Sequence, residues 1–287
     1  MLHSLIAFLF TIKTAFCSCR SDVQRNGFQR ARSAYKVTQL GRLPKVVNES
    51  SGLTYQVVRG TFLTHNDGGG RPTLYEIDRR GRLLDSIVVT GAANVDWEDM
   101  AQQDSTVLFV GDFGNNQNNR RDLSIYRIDL KPTVQVIPLP FHFADQTAFP
   151  PPRSRRNFDM EAMVWYRDSL HLFSKNRSLR NRFVRLYKLP SRPEPAVAGK
   201  SALEPQDSIY SRAMVTGAAV SPDYRTLALL TYGKILLFSI QSNQLTLRYP
   251  KQCIRLPRGQ TEAVAFVSET DMVVTNERGK LYLITRK

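Results

Sequence analysis

A six-residue pattern recurs five times along this chain, and no other feature limits the fold so strongly. The clearest copies are Asp96–Ala101, Asp159–Val164 and Gln260–Ala265, each with glutamate in third place; two weaker copies carry serine or threonine there. The copies recur at intervals of about 45 to 65 residues, a spacing typical of radial β-sheet repeats. The five third-place residues, called the anchors, are Ser51, Glu98, Glu161, Thr216 and Glu262.

The residues that follow each anchor repeat as well. A short apolar run leads through a turn to a second run that ends in small polar residues. A third run then begins with an apolar or aromatic pair, such as Leu74 and Tyr75. Runs of this length bounded by turn residues are typical of β-strands. The pattern predicts an all-β fold, a single five-bladed β-propeller; six blades are the alternative, although no sixth anchor is found.

The N-terminal part of the repeat region is expected to close the ring. The last unit, from Glu262, has room for only three strands before Lys287. Residues 36–47 resemble a strand but carry no anchor of their own. We therefore expect this strand to complete the last blade as its outer edge, with the propeller spanning 36–287. Closure of this kind removes open sheet edges.

Residues 1–19 have the organisation of an export signal. An apolar run, Leu5–Phe10, precedes a small-residue exit at Ala15–Ser18, and the run is too short to cross a bilayer. The segment departs from the usual pattern because no Lys or Arg precedes the run and Lys13 follows it. We expect export to a periplasmic or extracellular location, without a transmembrane segment; a lipid anchor on Cys19 is the alternative to plain cleavage.

The segment after the leader gives no sign of regular structure. Residues 20–35 are polar, basic and aperiodic, so they are predicted to form a mobile linker. Once the leader is removed, only Cys253 of the three cysteines is certain to remain, so no disulfide framework is expected. Stability is then expected to come from sheet packing and ring closure.

The charge of the chain restricts its partners. It carries 40 Lys and Arg against 25 Asp and Glu, a formal net charge of +15. Such an excess favours nucleic acid, phosphorylated small molecules or anionic surfaces, although a solvated basic surface is the alternative. The basic residues are spread along the sequence, and this spread together with the expected export disfavours nucleic acid. We expect an anionic small-molecule substrate or ligand, bound by a monomer.

The anchors are expected to face the central channel. The first strand of each propeller blade lines that channel, and alternate residues point into it. The residues two positions after each anchor are apolar and are expected to form a layer on one side of the ring of anchors. The layer consists of Leu53, Met100, Met163, Ala218 and Val264. On the other side lies an upper ring that includes Glu49, Asp96, Asp159 and Gln260.

Carboxylates that converge on one axis need a counter-charge. Like charges a few ångströms apart raise one another's pKa, so protons or a cation must neutralise them. Hard oxygen ligands suit calcium, and zinc is disfavoured because the rings contain neither His nor Cys. The alternative is that the glutamates hydrogen-bond to channel waters or neighbouring amides and bind nothing.

The anchor order hydroxyl, Glu, Glu, hydroxyl, Glu resembles that of the calcium-activated nucleotidases, or soluble apyrases. Those five-bladed propellers hold an axial calcium beside the nucleotide site, with Ser, Glu, Glu, Ser and Glu as ligands. The resemblance implies that the five anchors bind calcium, with Thr216 in place of a serine. Short phrases such as Thr64–Asp67 and Asn94–Glu98 also resemble uncharacterised exported bacterial propellers that are grouped with phytase-like or esterase-like proteins.

The second strands should end at the same mouth of the channel as the anchors. Lys175 and Arg177 are expected at this mouth, where their positive charges would bind a phosphate. Asp67 or Asp112 would orient an attacking water while the metal offsets charge on the phosphoryl oxygens. Plain turns and a solvated basic loop are the alternative for these residues. We predict a calcium-dependent hydrolase of phosphate esters or anhydrides; the alternative is a non-catalytic propeller that binds a ligand or protein and uses the ion structurally.

Overall fold

The computed structural model describes residues 18–31, 34–178, 180–192, 199–257 and 259–287. Five sheets follow one another along the chain, and the innermost strand of each contacts the innermost strands of its two neighbours in a closed ring. The predicted five-bladed β-propeller is therefore confirmed. The described residues form no sixth sheet, so the six-bladed alternative is wrong.

The blades are antiparallel meanders that run outward from the axis. Blade one consists of β3 (Ser50–Gln56), β4 (Thr61–Asn66), β5 (Thr73–Ile77) and β6 (Leu83–Val88). Blade two consists of β7 (Trp97–Gln102), β8 (Val107–Asp112), β9 (Ser124–Asp129) and β10 (Gln135–Phe143), with β14 (Ser201–Leu203) on its edge. Blade three consists of β11 (Met160–Tyr166), β12 (Ser169–Ser174), β13 (Phe183–Pro190) and β15 (Pro205–Tyr210), after a 3₁₀ turn at Arg153–Arg155.

The last two blades take in the N-terminal segment. Blade four consists of β16 (Val215–Val220), β17 (Thr226–Thr231), β18 (Lys234–Ser239) and β19 (Pro250–Arg255), with β1 (Gln29–Arg30) on its edge. Blade five consists of β20 (Thr261–Phe266), β21 (Met272–Asn276), β22 (Lys280–Arg286) and, outermost, β2 (Tyr35–Arg42). A short helix, α1 (Arg20–Asn26), precedes β1 and ends at Gly27, whose φ of 78° lies in the left-handed region that glycine favours.

Burial falls from the middle of a blade to its outer edge. Every residue of β8 and β17 is buried, because neighbouring blades cover both faces of these strands. Each strand therefore contains an uninterrupted apolar run, Val107–Val110 in β8 and Leu227–Leu230 in β17. The outer strand β6 is almost entirely exposed.

The hydrophobic core is a ring of five clusters, one at each interface between neighbouring blades. Leu63, Trp97 and Val110, for example, pack between blades one and two. Leu230 and Val274 pack between blades four and five. Because each blade is held on two sides, the fold orients all five inner strands toward a common axis.

The strand that pairs at the outer edge of blade five comes from the N-terminal part of the chain. Strand β2 runs antiparallel to β22, from Tyr35 opposite Arg286 to Arg42 opposite Lys280. The strand ends five residues before the expected boundary at 47. Leu43 and Val47 are instead buried in the cluster between blades five and one.

The expected mobile linker, 20–35, instead holds α1 and β1, which pack on blade four. Strand β1 pairs parallel with β19, and Phe28 contacts Phe238 edge-on. Cys19 and Cys253 form a disulfide across 234 residues, contrary to the expectation that the fold is held without disulfides. Nothing local in the sequence connects two cysteines so far apart. No helix in the described ranges is long and apolar enough to cross a membrane.

Candidate functional site

The five anchors lie at β-bulges in the inner strands. In each inner strand the pairing with the second strand shifts at the anchor: between Ser50 and Gly52, Trp97 and Met100, Met160 and Ala162, Val215 and Gly217, and Thr261 and Val264. A bulge leaves the extra residue out of the ladder and re-aims its side chain. Four anchors are buried, and Glu262 is half-buried. The sequence repeat thus marks the point where each inner strand distorts at the axis.

Two cations of the chain lie among the acidic anchors. Lys175 is 5% exposed, and its Nζ lies 2.8 Å from Glu161 Oε1 and 5.3 Å from the centre of the Tyr232 ring. Arg177 lies 3.1 Å from the same carboxylate oxygen and 2.5 Å from Asp159 Oδ2. Burial lowers the pKa of Lys175, but the charge of Glu161, with further contributions from Tyr232 and Glu262, outweighs burial and holds that pKa well above its ordinary value. The chain therefore supplies counter-charge to Glu161 and Asp159 itself.

The carboxylates at this mouth outnumber these cations. Burial raises the pKa of Asp96 to about 6, and the charge of Asp67 adds to the rise. Burial raises the pKa of Glu262 to about 8. Burial and the Glu161 charge raise the pKa of Glu98 well above its ordinary value. Even with Arg120, which lies close enough to Asp96 to lower its pKa, the cations are fewer than the carboxylates around them. The mouth is therefore electrostatically suited to a further cation.

Three of these carboxylates converge closely enough to share one ion. Oxygens of Asp67, Asp96 and Glu98 lie within 4.8 Å of one another. Asp67 follows β4, Asp96 immediately precedes β7, and Glu98 lies at the bulge of β7. Oxygens that bind one calcium ion lie about 2.3–2.6 Å from it, so two of them are at most about 5 Å apart. By this measure the trio can share one metal ion of calcium's size, and carboxylate oxygens are the donors that hard cations take.

Two glycines let the backbone approach this trio. A Cβ on Gly114 would lie 2.4 Å from Asp96 Oδ2 and 2.5 Å from Glu98 Oε1. A Cβ on Gly68 would lie 2.7 Å from Asp96 Oδ1. The Gly114 amide donates to the Asp96 carbonyl at 3.1 Å, and the Gly68 amide donates to Asp67 Oδ1 at 2.6 Å. The close approach of these two loops requires glycine on steric grounds.

The structure gives different surroundings to the remaining predicted site residues. Asp112 accepts the Asp96 amide at 2.9 Å and pairs with Arg120 at 3.1 Å, so it positions Asp96. The Thr216 hydroxyl donates to the Thr261 carbonyl at 2.6 Å and thereby ties blade four to blade five. Ser51 is buried at the bulge of β3.

Of the five predicted metal ligands, only Glu98 belongs to the trio. Of the four predicted catalytic residues, Asp67 joins the trio, whereas Lys175 and Arg177 pair with Glu161.

Asp96, Asp159 and Arg120 belong to the site but not to the predicted set of site residues. Asp96 falls in the upper ring of channel residues but outside the predicted ligand set. Its pattern, an acid two residues before the anchor, could have suggested a ligand. Arg120 holds Asp112 and also donates to the Gly114 carbonyl at 2.9 Å. No sequence pattern indicates this role, because the contact depends on how the loop after β8 folds back.

Comparisons with known proteins support the fold alone. No protein-family model matches this chain, and no curated protein does either. The aldose sugar dehydrogenase from Streptomyces coelicolor, in its PQQ-bound form, is 10% identical over 89% of this chain and 99% of its own, with a TM-score of 0.53. A gluconolactonase from Xanthomonas campestris is 14% identical over 88% of this chain and 80% of its own, with a TM-score of 0.46. The resemblance to calcium-activated nucleotidases and phytase-like propellers finds no support in these comparisons.

Proposed function

We propose that this protein is an exported, monomeric, calcium-dependent hydrolase of phosphate esters or anhydrides. The observation that carries the proposal is the convergence of Asp67, Asp96 and Glu98 beside Lys175 and Arg177. The proposed ion lies off the axis, toward blades one and two, because Glu161 is already paired with cations of the chain. This arrangement replaces the five-anchor ring as the preferred ligand set and keeps Glu98 in common with it.

Arg177, Asp67 and a bound ion would have separate roles in such a reaction. A bound calcium ion would polarise a phosphoryl oxygen and offset the charge that develops on it. Arg177 is held by Asp159 and Glu161, yet its side chain keeps 24% exposure, so a substrate can reach it. Asp67 would bind the ion with one oxygen and align a water with the other, since Asp112 is engaged by Arg120 and by the Asp96 amide.

Export is supported by the disulfide of Cys19 with Cys253, because such bonds persist in oxidising compartments. The bond requires any leader to end before Cys19, one residue earlier than the expected leader of 1–19. A sulfur in a disulfide has no thiol left for a thioether, so this bond and a lipid anchor on Cys19 exclude each other.

The ion site is tested by calcium-dependent stability. Free calcium at 100 times its Kd should raise the free energy of unfolding of the wild type by about 2.7 kcal/mol. Glu98→Gln should lose this gain, whereas Glu262→Gln and the exposed control Glu204→Gln should keep it. Equal loss in Glu98→Gln and Glu262→Gln would place the ion in the axial ring of anchors. An unchanged wild type in calcium and chelator would remove the metal from the proposal.

The reaction is tested by phosphate release from nucleoside di- and triphosphates, phytate and an aryl phosphate. Release should need calcium and disappear in Glu98→Gln. Arg177→Ala should lower kcat/KM by about 10²- to 10³-fold while the calcium response remains, because it removes a charge near the reacting phosphoryl group. Arg180→Ala, an exposed arginine of the same loop, is the matched control. Activity that survives Glu98→Gln would contradict the assigned site.

A non-catalytic propeller that binds a ligand or protein and uses its ion structurally is the second candidate. The engagement of Lys175, Arg177 and Asp112 in ion pairs within the chain favours it, because groups so paired are less available to a substrate. Calcium stabilisation that depends on Glu98, without turnover of any substrate in the panel, would select this candidate.

A further inference from the structure

A surface rich in arginine covers blade three beside the acidic mouth. The loops before β11, between β12 and β13, and after β15 all lie at the mouth end of this blade, because β11 begins there and β12 and β15 end there. Helix α1 contacts β15 from outside the blade. These four segments carry six arginines, here called the arginine surface: Arg25, Arg153, Arg155, Arg156, Arg182 and Arg212.

Hydrogen bonds hold the three loops against one another. The Ser178 hydroxyl donates to the Ser154 carbonyl at 2.7 Å, which joins the loop before β11 to the loop between β12 and β13. The Ser211 amide donates to the Arg182 carbonyl at 2.9 Å, which joins that second loop to the one after β15. The argument from sequence against nucleic acid depended on the spread of basic residues along the chain. For these six arginines that spread disappears in the fold, because their segments share one face of blade three.

The positive charge of this surface is not neutralised within the described ranges. None of the six arginines forms an ion pair there, and four of them are exposed while two are half-buried. The two acidic residues in the loop before β11 are engaged by other arginines: Asp159 by Arg177 and Asp145 by Arg185. Uncompensated charges gathered on one face attract a polyanion.

Two aromatic rings lie among these arginines. Phe183 and Tyr210 are partners across β13 and β15, with ring centres 5.8 Å apart, and Phe183 is 41% exposed. The Arg25 guanidinium lies 4.5 Å from the centre of the Tyr210 ring, and Arg212 Nε donates to the Tyr210 hydroxyl at 3.4 Å. This hydrogen bond, with the charges of Arg25 and Arg182, lowers the pKa of Tyr210. Arginines from three segments thus surround one aromatic pair.

The combination of arginine and exposed aromatic rings fits single-stranded nucleic acid better than other polyanions. Guanidinium groups bind phosphates in bidentate fashion, and unpaired bases stack on aromatic rings. Inorganic polyphosphate and acidic polysaccharides have no bases to stack on Phe183. Phe183 is also the one exposed large apolar side chain of the described residues on this surface. Membrane binding is disfavoured for that reason, because its strength grows with the apolar area that is buried.

We propose that the arginine surface binds single-stranded nucleic acid, with phosphates on the arginines and a base stacked on Phe183. None of the six arginines belongs to the trio of proposed ion ligands, so the strand binds without calcium. The inference is therefore independent of the proposed hydrolase. Export would restrict the partner to nucleic acid that has been released from cells.

Fluorescence anisotropy of a labelled oligothymidylate of about twelve nucleotides tests this binding in chelator. We expect saturable binding whose log affinity falls linearly with log salt, by about 0.7 for each phosphate contacted. Inorganic polyphosphate, heparin and phosphatidylglycerol vesicles, at equal total charge, should compete less well than unlabelled oligonucleotide. Absence of saturable binding at low salt would overturn the proposal. Equal or better competition by any of the three would also overturn it, because the surface would then bind a polyanion or a membrane without using bases.

Two triple variants that lose the same charge locate the strand. One replaces three exposed arginines of the surface by glutamine, and its control replaces three exposed arginines in turns at the opposite end of the blades. The first carries Arg153→Gln, Arg155→Gln and Arg212→Gln, and the control carries Arg80→Gln, Arg167→Gln and Arg225→Gln. The first should weaken binding at least about tenfold and reduce the salt slope by about two, whereas the control should change affinity less than about twofold. Equal losses would mean that net charge alone drives binding and would overturn the proposal.

Phe183→Leu separates base stacking from charge. It should weaken oligonucleotide binding about five- to 100-fold, the range for one stacked base, while the salt slope and the affinity for polyphosphate stay unchanged. Tyr249→Leu is the matched control, because Tyr249 is also 41% exposed but lies between β18 and β19, away from this surface. Thermal scans check that both variants fold. If Phe183→Leu binds the oligonucleotide as tightly as Tyr249→Leu does, the proposal is overturned.

Discussion

Asp99 shows how one side chain can connect several blades. It is 1% exposed, and its carboxylate accepts three amides: Met100 at 2.8 Å, Met163 at 2.8 Å and Ala218 at 3.1 Å. These amides belong to the inner strands of blades two, three and four. Burial raises the pKa of Asp99 well above its usual range, although the three hydrogen bonds oppose the rise. The residue therefore bridges the channel just below the acidic ring.

Removing this bridge should destabilise the fold. Asp99→Ala leaves the Met163 and Ala218 amides without an acceptor, so we expect the free energy of unfolding to fall by about 2–5 kcal/mol. Asp99→Asn keeps an accepting oxygen and should lose less. Denaturant titration of both variants measures the difference. An alanine variant as stable as the wild type would show that the bridge adds nothing.

His171 makes stability depend on pH. Burial, with a smaller contribution from Lys188, lowers its pKa from 6.5 to about 4. Between these values the His171 ring binds more protons in the unfolded chain than in the folded one, so its contribution to the free energy of unfolding falls as the pH falls from 6.5 to 4. One such group accounts for about 3 kcal/mol. His65, which burial shifts in the same way to about 4, adds a similar dependence.

The contribution of His171 can be isolated. His171→Phe should preserve the ring contact with Tyr166 and remove about half of the pH dependence from the two histidines. Unfolding by denaturant at several pH values from 4 to 7 provides the measurement. The prediction fails if the variant and the wild type lose stability in parallel over this range.

At the scale of elements, short parallel strands cover two outer edges. Strand β14 pairs with β10 of blade two, and β1 pairs with β19 of blade four. Covered edges offer fewer free backbone groups to other chains. The segment that carries β1 is also fixed by the Cys19–Cys253 disulfide and by a buried ion pair of Asp22 with Lys234.

Loss of the disulfide should release this segment. Cys253→Ser should lower the free energy of unfolding by about 2–5 kcal/mol, because the bond closes a very long loop in the unfolded chain. Reductant should destabilise the wild type by a similar amount and leave the variant unchanged, which serves as its control. Melting temperatures that are identical with and without reductant would argue against the bond.

For the whole molecule, stability is expected to depend on pairing between the two ends of the propeller. Strand β2 forms the outer edge of blade five although it precedes blade one in sequence. Without it, β22 would become an open edge, and the termini of the ring would no longer be joined.

Two truncations separate this pairing from the disulfide. Chains that begin at Ala34 or at Leu43 both lack Cys19 and α1, but only the second lacks β2. We expect the chain from Leu43 to melt about 10 °C lower than the chain from Ala34 and to aggregate more readily. Thermal scans and light scattering provide the readout. Equal melting of the two would mean that β2 contributes nothing to closure.

The sequence by itself determined the blade count and the position of the inner strands, because apolar runs, turns and anchors are local patterns that recur in the same order in every blade. It also indicated an acidic mouth through Glu98, Glu161 and Glu262. It could not indicate Asp99, because the bulge in β7 breaks the two-residue alternation from which the channel residues were inferred.

Only the tertiary structure decided which charges meet. Glu161 pairs with Lys175, which follows the next strand directly, whereas Glu98 meets Asp67 from another blade. Which charged side chains pair depends on where loops from different blades converge. The spacing of residues along the chain does not show how close those loops come. The same holds for Cys19 and Cys253, which are 234 residues apart and come together only because the N-terminal segment crosses the edge of blade four.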